Sequence, residues 1–234
     1  MKTLIKKQVV RFIKPRLSAV GYKKIRGVSY AVRFSIASAY GKLKRCIIKS
    51  QLPMNANGQV YLHLGCGDIE APGFINIDAV PRRHVHYVRS IDDLRLFQDE
   101  TVDFIFASHC LEHFSHRDVL SVLKEWHRVI KKGGILCLSV PDFNLLLDIY
   151  FDSDRRIDAI QGYLMGGQDN QYNFHQIAFT HDSLSDFLYS AGFSVVREWN
   201  SYTDQLHSVA GFAHGPATVC GKDYPFNLNL EAIK

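Results

Sequence analysis

The chain has 234 residues, a formal net charge of +5, 47% hydrophobic and 12% aromatic side chains. This composition excludes a disordered, collagen-like or low-complexity protein, and the length fits one large domain or a domain with an appendage. No run of about 18 uncharged apolar residues occurs, so no helix is expected to cross a membrane. The five cysteines (Cys46, Cys66, Cys110, Cys137, Cys220) are odd in number and lack any C-x-x-C pair, which points to reduced thiols and a cytoplasmic location.

Charge divides the chain. Residues 1–50 hold 14 of the 28 Lys and Arg and no acid, and the first acidic residue is Asp68. The remainder has 14 basic against 23 acidic side chains, a net of −9. We read residues 1–57 as a basic amphipathic extension and 58–234 as the main domain. Leu4, Ile5, Val9, Val10, Phe12 and Ile13 recur at helical spacing up to Pro15. A second amphipathic stretch is expected over 28–48. Such an arm suits an anionic membrane surface, at the inner face of the membrane, as a peripheral contact. Nucleic acid ranks behind it, because the acidic body repels a polyanion. Packing of the arm on its own domain is the plain alternative.

Beyond the arm, Val60–Leu64 reads as a strand ending in Gly65-Cys66-Gly67, a turn that needs unusual backbone angles. Phe74–Asp78 is a second strand and Val85–Val88 a weak third. Val102–Ala107 is a continuous apolar strand of the buried, parallel type. Arg117–Lys132 has Val119, Leu123, Trp126 and Ile130 on one helical face, with Lys131-Lys132-Gly133-Gly134 expected to close it. Ile135–Val140 is a fifth strand, stopped by Pro141. A helix over Ser183–Ser190 and a strand over Phe193–Trp199 complete the series. Alternation of this kind predicts an α/β fold with an open, mostly parallel, Rossmann-like sheet, whose ligands bind beyond the carboxyl ends of the strands.

Polar and glycine residues do follow those strand ends. Gly65 and Gly67 follow the first, Asp78 ends the second, Asp92-Asp93-Leu94 follow the third, and Ser108-His109-Cys110-Leu111-Glu112-His113 follow the fourth. Each alone is an ordinary turn or cap; the ordered set carries the signal. At residues 58–234 the chain resembles the class I S-adenosylmethionine-dependent methyltransferases, in particular small bacterial members of the methyltransferase type 11 kind. The matching segments are LHLGCG, FINIDA, SIDDL, VDFIFASHCLEHF, EWHRVIKKGGILCLSVPDF and FTHDSLSDFLYSAGFSVV. The resemblance implies S-adenosyl-L-methionine as cofactor, with Gly65, Cys66 and Gly67 under its methionine part. Asp78, followed by Ala79, would hold the ribose. Asp92, Asp93 and Leu94 would border adenine, and Ser108 and His109 lie along the fourth loop. His63 stands where the family often has an acid, Ile69 replaces a third glycine, and the first connection is too short for a full helix.

His109-Cys110-Leu111-Glu112-His113 also spells H-x-x-E-H, the inverted zinc-peptidase pattern. We set zinc aside and expect no metal, because the match directly follows a buried strand and no acid on a second helix stands out. Methyl transfer to a hydroxyl needs a general base, and the candidates are His109, His113 and Asp142, with Glu112 behind them. Residues 151–181, which contain His175, Gly162, Gly166 and Gly167, are read as an acceptor-side lid or insertion replacing a regular helix. The expected activity is methylation of a sugar hydroxyl in a bacterial surface polysaccharide or its lipid-linked precursor. A catalytically silent module and an RNA methyltransferase are the competing readings.

Overall fold

The computed structural model describes residues 55, 57–199, 217–219, 221–225 and 227–234. The basic arm with its two expected amphipathic stretches, Cys46 and Cys220 lie outside the described residues. In chain order the elements are β1 (Tyr61–Leu64), β2 (Ile75–Asp78), β3 (Tyr87–Val88), β4 (Val102–Ser108), a single 3-10 turn (Leu111–His113) and α1 (Val119–Val129). They continue with β5 (Ile130–Pro141), α2 (Phe143–Asp152), α3 (Ile157–Met165), α4 (His181–Ala191), β6 (Val195–Glu198), β7 (Ala217–Val219), β8 (Lys222–Tyr224) and β9 (Asn227–Ile233).

Seven strands form one sheet in the order β3-β2-β1-β4-β5-β9-β6. The five on the β3 side run parallel, and β9 runs antiparallel to both β5 and β6. This mixed, mostly parallel sheet with helices is the Rossmann-like α/β architecture expected from the sequence. Because side chains alternate along a strand, Leu62, Leu64, Ile105, Ala107, Leu136 and Leu138 face the main core. There they meet Val119, Val122, Leu123 and Trp126 of α1 and Leu184 and Leu188 of α4. Each such fully buried side chain contributes about 1.5–3 kcal/mol. The opposite face is aromatic: Tyr61, Phe74, Phe104, Phe106 and Trp199 cluster there with Cys137.

Four segments differ from the sequence expectation. The helix expected to run to Lys132 stops at Val129, and Ile130 is already extended. Pairing decides this: Ile130 lies opposite Val102 of β4, so the chain joins the sheet before the Lys-Lys-Gly-Gly run is reached. The segment 151–181, read as lacking a regular helix, contains α3 and the end of α2. Their Leu146, Ile149 and Ile160 bury against Tyr224 of β8, while Asp152 accepts hydrogen bonds from Lys222 Nζ (2.6 Å) and Tyr224 Oη (2.7 Å). The C-terminal residues form β9, wedged between β5 and β6, where Leu228, Leu230 and Ala232 are buried. The α4 helix starts two residues earlier than expected, because Thr180 and Ser183 form a reciprocal capping box.

The turn after β1 contains two left-handed glycines, Gly65 at φ +63° and Gly67 at φ +53°. A Cβ on Gly65 would stand 2.6 Å from Cys110 Cβ, whereas one on Gly67 would meet nothing closer than 4.0 Å. Gly65 is therefore required twice, by backbone angle and by close approach of the β4 loop. We expect Gly65→Ala to lower unfolding stability by about 3 kcal/mol or more, from a left-handed cost of roughly 1–2 kcal/mol plus overpacking of similar size. Gly67→Ala incurs only the first of these costs, about 1–2 kcal/mol. Urea denaturation of both variants checks the difference.

Candidate active site

The carboxyl ends of β1, β2 and β4 converge. Asp78, at the end of β2 and nearly buried, accepts a hydrogen bond from Gly67 N–H on Oδ2 (2.8 Å) and from Val80 N–H on Oδ1 (2.7 Å). Oδ2 thus retains a lone pair. Arg82 Nη1 approaches Oδ1 at 3.4 Å, and its Nε pairs with the exposed Asp68 at 2.7 Å. His84 Nε2 lies 3.0 Å from the Gly67 carbonyl, so the loop after β2 folds back onto the glycine turn. Ala79 sits half-buried within that loop.

Cys66 is buried in the turn. Burial, then the Asp78 charge, raises its thiol well above the ordinary range. Cys110 behaves likewise, raised by burial and by Glu112, and its Sγ lies 3.7 Å from the Leu64 carbonyl. Both are protonated packing groups rather than nucleophiles.

After β3, Asp92 is exposed. Asp93 receives Arg89 (2.6 Å) and Arg95 (2.8 Å), and Arg95 first, then Arg89, holds its carboxyl below the usual range despite its surface position. Leu94 is wholly buried. Its N–H donates to Glu125 Oε1 (2.9 Å), and Trp126 Nε1 donates to the Ile91 carbonyl (2.8 Å), which ties this loop to α1.

Beyond β4, Ser108 Oγ is buried and has no hydrogen-bond partner among the described residues. His109 adopts φ +50°. Its Nδ1 lies 3.3 Å from Glu112 Oε1 and its Nε2 lies 2.9 Å from Asn227 Oδ1. Glu112 is 1% exposed. Burial pushes its carboxyl up, but His109, His113 and His175 together hold it below its ordinary value. His113 Nδ1 lies 3.2 Å from the Phe174 carbonyl, and His175 Nδ1 lies 2.9 Å from the Tyr163 carbonyl. His109 and His113 thus occupy a left-handed residue and a 3-10 turn, not one face of a long helix as the peptidase pattern requires.

Two candidates stand apart from this cluster. Asp142 caps α2, accepting from Asn144 N–H (2.9 Å), with burial raising its carboxyl above the usual value. His63 is 2% exposed within the aromatic face, its ring 5.3 Å from Phe106 and 6.3 Å from Phe74. Sequence reasoning missed Asn227 as a partner of His109, 118 positions away, because only the pairing of β9 with β5 brings them together.

The residues at the three strand ends fit S-adenosylmethionine on their own chemistry. Asp78 offers a carboxylate acceptor at Oδ2 to a ribose hydroxyl, Gly67 leaves open space where a side chain would stand, and Ser108 has an unused hydroxyl. Residues 62–138 match the family model described as a methyltransferase domain. The match spans about a third of the chain. A demethylmenaquinone methyltransferase from Alkalihalophilus pseudofirmus is 32% identical over 107 residues, which cover 43% of this chain and 44% of that protein. The chain therefore aligns with less than half of this relative. Among solved structures, an S-adenosylmethionine-dependent methyltransferase from Archaeoglobus fulgidus is 15% identical with a TM-score of 0.47, covering 85% of this chain and 94% of the other. The 1,6-didemethyltoxoflavin-N1-methyltransferase of Burkholderia thailandensis, crystallised with 1,6-didemethyltoxoflavin and S-adenosylhomocysteine, is 13% identical with a TM-score of 0.48, covering 93% and 91%.

At the His63 position, where the resemblance implies an acid, stands a buried imidazole, and it sets an acid limit. Burial lowers His63 from 6.5 to about 4, so the unfolded chain binds more protons than the fold between those values. Stability therefore falls as pH drops through this window, by about 3 kcal/mol in total for a shift of this size, and no further below it. Replacing His63 with Phe should flatten the pH dependence of the urea midpoint between pH 6.5 and 4. An unchanged slope would place the acid sensitivity elsewhere.

Proposed function

We propose that the chain transfers a methyl group from S-adenosylmethionine to an acceptor hydroxyl, on a sugar of a bacterial surface polysaccharide or its lipid-linked precursor. The observation that carries the cofactor part is Asp78, a nearly buried carboxylate that orders the glycine turn while keeping acceptor capacity on Oδ2. When bound, the cofactor supplies an electrophilic methyl on a sulfonium. The protein's task is to orient the acceptor, exclude water and take the hydroxyl proton.

We assign that last role to His109. Its ring is held between Glu112 and Asn227 at the end of β4, beside Ser108. His113 and Asp142 are the secondary candidates; the Nδ1 of the first faces a carbonyl and the carboxylate of the second caps a helix. The apolar cleft lined by Pro141, Phe143, Leu146, Tyr163 and Ile177, with His175 at its edge, is the proposed acceptor side. A hydroxyl acceptor is supported by this imidazole. A lipid-linked one is supported by the charge pattern of residues 1–50, and a membrane-surface partner for that arm is part of the same proposal. Among the described residues no helix is long and apolar enough to cross a membrane.

Calorimetric titration of S-adenosylhomocysteine should show one site, weakened tenfold or more in Asp78→Asn, which keeps the side-chain shape but not the charge. Label from the methyl group should then enter a lipid-linked saccharide fraction; transfer only to RNA or protein would overturn the acceptor reading. With that acceptor, His109→Ala should reduce kcat by about 10²–10⁴-fold and leave S-adenosylhomocysteine affinity unchanged. Equal losses in both quantities would assign His109 to cofactor binding instead.

A further inference from the structure

The turn after β4 contains a buried group that methyl transfer as described does not use. Neither oxygen of Glu112 has a hydrogen-bond partner among the described residues, although the residue is 1% exposed. Unpartnered carboxylate oxygens at that depth are costly, and they need either donors or a cation. His109 Nδ1 lies 3.3 Å from Oε1 without hydrogen-bond geometry and leaves Oε2 without a donor, and the other two rings are turned the wrong way to be donors. His113 and His175 each present Nδ1 to a backbone carbonyl, of Phe174 and Tyr163 respectively, at 3.2 and 2.9 Å. A carbonyl oxygen can only accept, so Nδ1 carries the hydrogen and the neutral ring keeps its free electron pair on Nε2. His175 Nε2 stands 3.8 Å from Glu112 Oε1, beyond hydrogen-bond reach even if a proton were shared.

We infer that Glu112, His113 and His175 form a binding site for a single divalent transition-metal ion of the zinc class. One ligand atom from each residue lies within 4.8 Å of the other two. On a tetrahedral zinc ion, bonds of about 2.0–2.2 Å put ligand atoms roughly 3.3–3.6 Å apart, so closure requires each side chain to move by about 1 Å or less. Two imidazoles and one carboxylate are the donor types such ions prefer, and an Nδ1–H donated to a carbonyl is the usual way a ligating ring is oriented.

The scaffold is held from both sides. Gln176 N–H donates to the Glu112 carbonyl (2.8 Å), and Gln176 Nε2 donates to the His113 carbonyl (2.6 Å). The segment carrying His175 is therefore strapped onto the β4 turn. Three protein ligands leave a fourth position for water or a hydroxyl. Only the idea that this position serves the methyl acceptor rests on the proposed activity; the site itself does not.

The test uses the untagged full chain, stripped with a chelator and titrated with Zn²⁺ by calorimetry and with Co²⁺ by visible absorption. One equivalent should bind, with cobalt bands of a low-symmetry site. Glu112→Gln and His175→Ala should each weaken binding at least tenfold, while His116→Ala, at an exposed imidazole, should leave it unchanged. Circular dichroism establishes that the variants are folded. If either does not fold, the wild-type stoichiometry and cobalt spectrum decide. Absence of wild-type binding, or binding that survives in folded Glu112→Gln and His175→Ala, overturns the site. S-adenosylhomocysteine titration of the same samples separates the two readings. A wild type that binds it but no metal retains the methyltransferase reading alone, and the converse retains the metal site alone.

Discussion

One carboxylate ties the strand ends into a site. Asp78 receives backbone N–H groups from the turn after β1 and from its own following loop, so the glycine turn cannot take its left-handed course without it. That course in turn lets Cys110 pack against Gly65 and brings the β4 loop alongside. The dependence runs through backbone groups, whose hydrogen-bonding needs are obligatory once buried. Arg82 and His84 then clamp the loop after β2 onto the same turn. A short first connection without a helix is workable here because these contacts take over the task of holding the turn.

A second constraint is electrostatic. Glu112 is fully enclosed beneath three imidazoles, and an enclosed carboxylate is tolerable only with compensating positive charge or donors. The elements that supply those imidazoles are separated in the chain by the whole of α1, β5, α2 and α3. The capping box at Thr180 and the bridge between Asp142 and Phe179 fix where the returning segment re-enters the domain. His175 is thereby placed both at the cluster and at the edge of the apolar cleft.

The sheet itself illustrates how pairing outranks local preference. A run of Lys-Lys-Gly-Gly is a good helix terminus in isolation, yet Ile130 leaves the helix for β4 because its partner Val102 waits there. Helices α2 and α3 formed where a loop was expected. Their apolar residues fall on nearly every side, so no single stripe stands out until Tyr224 of the β7–β8 hairpin completes the cluster. Local periodicity reports only a segment's own faces, not the surface that will cover them.

The sequence by itself determined the alternation of strands and helices, the glycine turn, the acid at the end of β2 and the polar loop after β4. These are local events: each needs only the right residue at a strand end, so order and spacing carry them. It equally determined the division between a basic arm and an acidic body, since charge is additive along a chain. Only the tertiary structure decided that Leu94 and His63 point into packed interior. The same holds for the reversed β9, which delivers Asn227 to His109, and for the return of His175 to Glu112. The last two depend on partners 118 and 63 positions away, brought close by burial of apolar faces whose mutual fit no single segment contains.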